Sequence, residues 1–336
     1  MVSLTLFRLA AGTALALCLV FTGCVDGVKV TNSESRTNWT LRQSPTEYDL
    51  YNVIWNGSEF RAVGFDGTMI SSPDGISWKA FEHPEIFGSW PGHIAWSDKL
   101  SLYIVAGGEN MLKTSPDGDN WTDRTSGFSS NNHFNGVAVI DTIIVAVGDE
   151  GVAVSTNGIQ WTPQTLPQGI GLGGVAASDT LLIGFAYNGI YSSIDGFDWA
   201  QRSNEAGLLY GAAWWPDRNR WLAVGHLGLV MTSPDGIQWT RIDVGAGDYS
   251  TLFDVYPAGS TCYIVGSGNG PAEILSSHDG QVWSKLVLED YGWLRGITGS
   301  PRRLVIVGNE GVILTKPRVF LPGMSGVKTS GELPWR

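Results

Sequence analysis

The chain has 336 residues, of which 43% are hydrophobic and 16% are charged, and its 21 basic and 32 acidic residues give a formal charge of −11. This composition excludes a disordered or collagen-like polymer, and the negative charge disfavours nucleic acid as a partner. Forty-four glycines and 15 tryptophans beside only five methionines favour many tight turns between short strands, because glycine supplies positive φ angles and tryptophan packs well on a pleated surface. We therefore expect an all-β protein rather than a helical bundle.

The N-terminal segment has the pattern of a secretory signal. Residues 1–23 carry a single basic residue, Arg8, followed by an apolar run without any acid. The run ends in the sequence FTGC, which resembles the bacterial lipobox, with Phe21 where that motif usually has leucine. The resemblance implies that Cys24 is acylated and becomes the new N-terminus. The alternative is an ordinary signal peptide cleaved near Gly23.

Residues 24–37 are polar and lack apolar periodicity, so we expect a flexible tether. Attachment through more than one acyl chain is stable, which makes the lipid bilayer an expected partner through Cys24. The expected location is the bacterial cell envelope, either the periplasm or the cell surface. In a Gram-negative source it would be the outer membrane, because Val25 rather than aspartate follows the cysteine.

The cysteines allow no intramolecular disulfide in the mature chain. Cys18 would be removed with the signal and Cys24 acylated, which leaves Cys262 alone. Its aromatic and β-branched neighbours predict a small buried hydrophobic residue. We expect a monomer stabilised by packing.

A motif of the form SxDGxxW recurs along the chain. Six copies are present, with asparagine replacing aspartate in the third: Ser72–Trp78, Ser115–Trp121, Ser155–Trp161, Ser193–Trp199, Ser233–Trp239 and Ser277–Trp283. With Trp39 added, the seven tryptophans are spaced 38 to 44 residues apart. The repeat unit is therefore about 40 residues long.

Each unit predicts four short antiparallel strands, and this period with four strands is typical of a β-propeller blade. The last unit, with its third strand at 312–315, lacks the motif, whereas Trp39 lacks the strands before it. We therefore predict a seven-bladed β-propeller over residues 38–320, in which the N-terminal strand completes the last blade and closes the ring. Residues 321–336 are predicted to form a C-terminal tail.

The motif resembles the Asp box of the sialidase superfamily and of bacterial BNR-type propellers, whose pattern SxDxGxxW has one more residue before the glycine. The resemblance covers residues 39–316 and implies the propeller fold, with the motif turns on the face opposite the ligand site. The repeat is also similar to that of photosystem II assembly factors, whose basic patch has no counterpart in this acidic chain.

The motif residues are predicted to be structural. The carboxylate can accept backbone N–H bonds, glycine adopts positive φ, the serine hydroxyl caps the turn, and the tryptophan packs between blades. The predicted structural set is Ser72, Asp74, Gly75, Trp78, Ser115, Asp117, Gly118, Trp121, Asp195, Trp199, Asp235, Trp239, Asp279 and Trp283.

The predicted ligand face combines the turns between second and third strands with the connections between blades. Acids and aromatic residues dominate it. The candidates are Asp66, Glu109, Asp149, Glu150, Tyr187, His226, Glu289, Asp290, Tyr291, Arg295 and Glu310. One interpretation is a set of ordinary solvated turns. The other is a concave site for a sugar, a cation-bearing ligand or a basic protein segment.

No catalytic residue is predicted. A sialidase would need three arginines around a substrate carboxylate, and Phe60-Arg61 matches the early Phe-Arg motif of that family only faintly. Other carboxylate chemistry would need only two acids at a suitable distance, such as members of the pairs Asp149-Glu150 and Glu289-Asp290. The five histidines lack metal-ligand spacing, and no metal or cofactor is predicted.

The leading hypothesis is a non-catalytic lipoprotein of the cell envelope that binds a protein or a glycan. The alternative is a glycoside hydrolase or polysaccharide lyase with a sialidase-like propeller fold.

Overall fold

The computed structural model describes residues 38–81, 92–129, 132–166, 169–204 and 207–318. The predicted signal peptide, Cys24, the tether and the tail at 321–336 lie outside the described residues.

Within these ranges, 28 strands form seven four-stranded antiparallel sheets. In chain order they are β1 (Thr40–Leu41), β2 (Leu50–Trp55), β3 (Phe60–Gly64), β4 (Met69–Ser72), β5 (Lys79–Ala80), β6 (His93–Ser97), β7 (Leu102–Ala106), β8 (Leu112–Ser115), β9 (Thr122–Asp123), β10 (Phe134–Ile140), β11 (Ile143–Gly148), β12 (Gly151–Ser155), β13 (Thr162–Gln164), β14 (Gly174–Ala177), β15 (Leu182–Ala186), β16 (Gly189–Ser193), β17 (Ala200–Ser203), β18 (Leu209–Trp215), β19 (Arg220–Gly225), β20 (Val230–Ser233), β21 (Thr240–Ile242), β22 (Thr251–Ala258), β23 (Thr261–Ser267), β24 (Ala272–Ser277), β25 (Ser284–Leu288), β26 (Leu294–Gly299), β27 (Arg303–Gly308) and β28 (Ile313–Pro317).

The sheets form the seven blades of a β-propeller, as the sequence predicts. Blades 1 to 6 each use four consecutive strands, from β2–β5 to β22–β25. Blade 7 has the order β1-β28-β27-β26, so the N-terminal strand is its outermost member. Thr40 pairs with Thr315 and Leu41 with Leu314. The prediction of ring closure by the N-terminal strand is therefore confirmed.

The core lies between the blades. The second strand of a blade is buried along almost its whole length, as in FRAVG of β3 and LIGFA of β15, because both faces of each sheet pack against a neighbouring sheet. Seven hydrophobic clusters result, each between two adjacent blades and each containing one repeat tryptophan: Trp78, Trp121, Trp161, Trp199, Trp239, Trp283 and Trp39.

The antiparallel order gives the ring two distinct faces. The SxDGxxW face carries the turns between first and second strands and between third and fourth strands. The upper face carries the turns between second and third strands and the connections from blade to blade. No helix of a length and apolarity suited to crossing a bilayer occurs among the described residues.

Candidate ligand-binding face

The SxDGxxW turns are saturated by hydrogen bonds to their own backbone. In the fifth blade, Ser233 Oγ accepts from the N–H of Gly236 at 2.8 Å, and Asp235 Oδ1 accepts from the N–H groups of Ile237 and Gln238, both at 2.9 Å. The motif glycines have φ between 70° and 79°, a region that glycine enters without strain. The same bonds recur in all six copies.

These bonds stabilise the ionised carboxylates. Backbone N–H donors lower the pKa of the turn aspartates, which are Asp74, Asp117, Asp195, Asp235 and Asp279. In the third blade Asn157 makes the equivalent bonds through its amide oxygen, at 2.8 Å to Ile159 N and 3.0 Å to Gln160 N. The turn therefore forms the same backbone hydrogen bonds with a charged or an uncharged side chain.

Arg61 also belongs to the SxDGxxW side of the ring. Its side chain is buried and bonds to the carbonyl of Gly118 and to the carboxylates of Glu59 and Asp119, at 2.8 and 3.2 Å respectively. The guanidinium carbon also lies 5.0 Å from the ring centroid of Tyr103. Arg61 thus joins blade 1 to the turn of blade 2 and does not face the upper surface.

On the upper face, β-bulges interrupt the inner strands. The pairing of the first and second strands shifts by one residue directly after the first buried residue in five blades. A bulge adds one extra residue to one strand and redirects its side chain. The residues at these positions are Tyr51, Asn135, Tyr210, Phe253 and Arg295.

Four of these residues come from consecutive blades, 5, 6, 7 and 1, and meet around one cation. The guanidinium carbon of Arg295 lies 5.3 Å from the ring centroid of Tyr51 and 4.9 Å from those of Phe253 and Trp293. Phe253 contacts Trp293 at 5.5 Å and Tyr210 at 5.4 Å between centroids. We call these five residues the Arg295 platform.

The positive charge of Arg295 has one hydrogen-bond acceptor among the described residues. Arg295 Nε donates to Asn309 Oδ1 at 2.7 Å, and no described residue accepts from the two terminal nitrogens. Burial lowers the pKa of Arg295, while the nearby Asp49, Tyr51 and Tyr210 act in the opposite direction. The Oδ1 atom of Asp49 accepts from the backbone N–H of Glu310 at 2.9 Å. The result is a half-buried cation surrounded by aromatic rings.

The acids of the predicted face do not converge on this platform. Asp149 accepts from Asn135 Nδ2 at 2.8 Å within blade 3, and Glu150 accepts from the hydroxyl of Ser129 in the connection from blade 2 to blade 3. Glu289 and Asp290 are exposed in the connection between blades 6 and 7. Within the described ranges, no group of three or more His, Cys, Asp or Glu side chains is arranged to hold a metal ion.

The remaining candidates occupy separate turns of the upper face. Asp66, Glu109 and Glu310 have left-handed φ angles of 54° to 55° in their turns. Tyr187 is 76% exposed. His226 Nδ1 lies 3.2 Å from Thr251 Oγ1. Tyr291 is half-buried against the cluster between blades 6 and 7. Of the predicted set, only Arg295 is a member of the platform.

The blade connections assigned from the sequence to the same face also include Tyr210 and Trp293, so the platform residues that the sequence prediction missed are Tyr51 and Phe253. A usable signal was present, because each inner strand of the platform has a leucine as its first or second residue, followed directly by the platform residue: Leu50-Tyr51, Leu209-Tyr210, Leu252-Phe253 and Leu294-Arg295. Strict alternation of side chains along a strand predicts the face of the sheet to which such a side chain points. The bulge adds a residue and changes that direction.

Two other features of the described residues do not suggest a site. A groove of about 400 Å³ is lined by Arg61, Lys79 and Asp119 among others, and its polar groups already serve the joint between blades 1 and 2. Cys262 is fully buried, and burial raises the pKa of its thiol, which disfavours the reactive thiolate.

Comparison with solved structures shows the same fold in proteins of distant sequence. The structure of YCF48 bound to D1 peptide is 15% identical with a TM-score of 0.67, and the match covers 84% of this chain and 98% of that chain. A streptogramin B lyase is 14% identical with a TM-score of 0.71, covering 85% of this chain and 100% of that chain. Virginiamycin B lyase from Staphylococcus aureus is 11% identical with a TM-score of 0.69, covering 84% and 100%.

No protein-family model matches the chain, and no curated protein matches it in sequence. At such low identities the structural likeness shows the fold alone. The chain is a seven-bladed β-propeller whose structural neighbours include both a peptide-bound protein and lyases.

Proposed function

We propose that this chain is a non-catalytic binding module that holds a segment of a partner protein on its upper face, across the Arg295 platform. The observation that carries the proposal is the cluster of aromatic rings around a guanidinium whose terminal nitrogens donate to no acceptor among the described residues. Aromatic rings and arginine are the side chains most enriched at the centres of protein interfaces.

Exposed apolar side chains extend this surface beyond the platform. Within the platform Trp293 is 43% exposed. Beyond it Tyr249 is 76% exposed and Tyr48 49%, and Tyr48 contacts Phe65 with ring centroids 5.9 Å apart. Large aromatic groups on the surface of a soluble domain are typical of interaction sites. A peptide bound to a propeller of the same fold supports a protein segment as the ligand.

The alternative, a glycoside hydrolase or polysaccharide lyase, receives less support from the geometry. Glycoside hydrolysis uses two carboxyl groups that flank one bond, about 5 to 9.5 Å apart. Beside Arg295 the acid that contributes is Asp49, and it is bonded to the backbone of Glu310. The paired acids of blade 3 and of the blade 6–7 connection belong to different parts of the ring.

The test is a pair of arrays, one of peptides and one of glycans, probed with the full chain and with its Trp293→Ala variant. We expect peptide spots that bind the chain and weaken with the variant, without cleavage by mass spectrometry. Binding to glycans alone would overturn the protein ligand, and a cleaved glycan would establish the alternative. A matched control is Phe197→Ala, since Phe197 is exposed in the SxDGxxW turn of blade 4, on the face opposite the platform.

We also propose that Cys24 carries a lipid that attaches the module to a membrane of the bacterial cell envelope. The support is the lipobox-like sequence FTGC after an apolar run. Cys24→Ser should move the protein from the membrane fraction to the soluble fraction and remove incorporated labelled palmitate. Cys262→Ser is the control. A chain that never incorporates the label would overturn the anchor.

A further inference from the structure

Aromatic rings lie against the planar face of the Arg295 guanidinium, and one edge of the group donates to no described residue. Three aromatic ring centroids lie 4.9 to 5.3 Å from its central carbon. The Nε donor is used by Asn309 at 2.7 Å. The four N–H donors of the terminal nitrogens meet no acceptor within the part of the chain that the structure describes. The open part is therefore the edge formed by Nη1 and Nη2.

An open guanidinium edge in a half-buried site favours an anionic ligand. Partial burial weakens the hydration of the Arg295 cation, and a negatively charged acceptor supplied by a ligand offsets this loss. The nearest contributing carboxylate, Asp49, is held by the backbone N–H of Glu310 at 2.9 Å. The protein thus leaves the edge of Arg295 to an external group.

The negative charge of the surroundings favours a carboxylate among the anions that a guanidinium edge can bind. A planar carboxylate forms two parallel N–H···O bonds with the edge of a guanidinium. A phosphate carries a charge of about −1.5 to −2 at neutral pH and would meet stronger repulsion from Asp49 and from the net charge of −11. A carboxylate carries one charge and satisfies the same two donors.

We infer that the Arg295 platform is a receptor for a carboxylate of the peptide ligand, bound edge-on to the guanidinium with an adjacent apolar side chain against Phe253 and Trp293. This inference rests on the proposed peptide-binding function. The carboxylate comes from the C-terminus of the peptide or from an aspartate or glutamate side chain, since both offer the same planar group.

The experiment is isothermal titration of the full chain with three small probes. N-acetyl-phenylalanine carries a terminal carboxylate, N-acetyl-aspartyl-phenylalaninamide carries a side-chain carboxylate, and N-acetyl-phenylalaninamide carries neither. We expect at least one acid to bind about tenfold or more tightly than the neutral amide, because a hydrogen bond to a charged group supplies more than 1.4 kcal/mol. The preferred acid identifies the source of the carboxylate.

Variants show whether Arg295 is responsible. Arg295→Met should abolish the preference for the acid, whereas Arg241→Met, on the exposed outer strand β21, should retain it. Arg295→Lys keeps the charge but loses the bidentate edge, so it should retain only part of the preference. Trp293→Ala should weaken the binding of the acids and of the amide alike. This variant gives a second readout if Arg295→Met lowers stability.

Equal binding of acid and amide would overturn the inference, as would an undiminished preference in Arg295→Met or no measurable binding of any probe. None of these results would overturn the proposed function, which the peptide array tests. Peptides that bind there without regard to acidic groups would keep the binding module and remove the carboxylate receptor. An array without binding peptides would remove both.

Discussion

Asp254 and Asn52 occupy equivalent positions on the inner strands of blades 6 and 1, and each side chain bonds to the next blade. Asp254 Oδ2 accepts from the backbone N–H of Ile297 at 2.9 Å, and Asn52 Oδ1 accepts from that of Ile94 at 3.2 Å. A carboxylate and an amide thus make the same joint. Burial raises the pKa of Asp254 to about 7, whereas the amide does not titrate.

This difference predicts a pH-dependent stability. The folded pKa of Asp254 lies above its unfolded value of about 3.9, so the native state binds more protons and stability falls as the pH rises from about 4 to 7. Asp254→Asn removes this slope. Between pH 5 and pH 8 we expect the thermal midpoint of the variant to gain about 5 °C relative to the unmodified chain, because a folded pKa of about 7 corresponds to a change of about 2.5 kcal/mol over this range.

The reciprocal change is the matched control for this prediction. Asn52→Asp places a carboxylate in the equivalent joint and should introduce a similar loss of stability with rising pH. Parallel midpoint curves for all three proteins, recorded by circular dichroism from pH 5 to pH 8, would contradict the titration of the buried joint.

The SxDGxxW turns predict that an amide can replace the carboxylate and an alanine cannot. Asp235 accepts two backbone N–H bonds, as Asn157 does in its own turn. In urea unfolding, Asp235→Asn should therefore change the free energy of unfolding by less than about 0.5 kcal/mol, and Asp235→Ala should lower it by about 1 to 2 kcal/mol. Equal losses in both variants would mean that charge, not hydrogen bonding, stabilises the turn.

The same turns predict sensitivity to acid. Their folded pKa values are lowered, so their contribution is present above the unfolded pKa of about 3.9 and is lost as the pH falls through the folded values. Stability should therefore decrease below about pH 4. A chain with asparagine at all of these aspartates should show a shallower decrease in the same acid titration, and an unchanged slope would assign acid sensitivity to other groups.

Ring closure depends on a short N-terminal strand whose main anchor is Trp39. The ring centroid of Trp39 lies 6.0 Å from that of Tyr263 and 5.8 Å from Lys316 Nζ. Trp39→Ala should lower the free energy of unfolding by about 2 kcal/mol, less than for a fully buried tryptophan because Trp39 is only partly buried. Leu41→Ala, at a side chain 53% exposed, is the control and should have little effect. Equal stability of both variants by urea unfolding would show that the backbone pairing closes the ring alone.

The repeat motif made the fold predictable, because six turns with the same hydrogen bonds mark the same point in successive blades. The platform was less accessible to sequence reasoning for two physical reasons. The bulges break the alternation from which side-chain direction is inferred, as at Tyr51 and Phe253. In addition, Tyr51 and Arg295 lie near opposite ends of the chain and meet only because the ring closes. The residues of a motif turn are neighbours in sequence, whereas the platform residues come together only in the assembled ring.

The direction of β1 determines the face from which the chain enters the ring. β1 begins with Thr40 opposite Thr315, and the strand it joins runs on to Pro317, which pairs with Arg303 at the SxDGxxW face. The chain therefore enters the ring from that face. If Cys24 carries the proposed lipid, the membrane attachment joins the ring on the face of the motif turns, opposite the face that carries the Arg295 platform, so a partner can reach the aromatic surface from the side away from the attachment point.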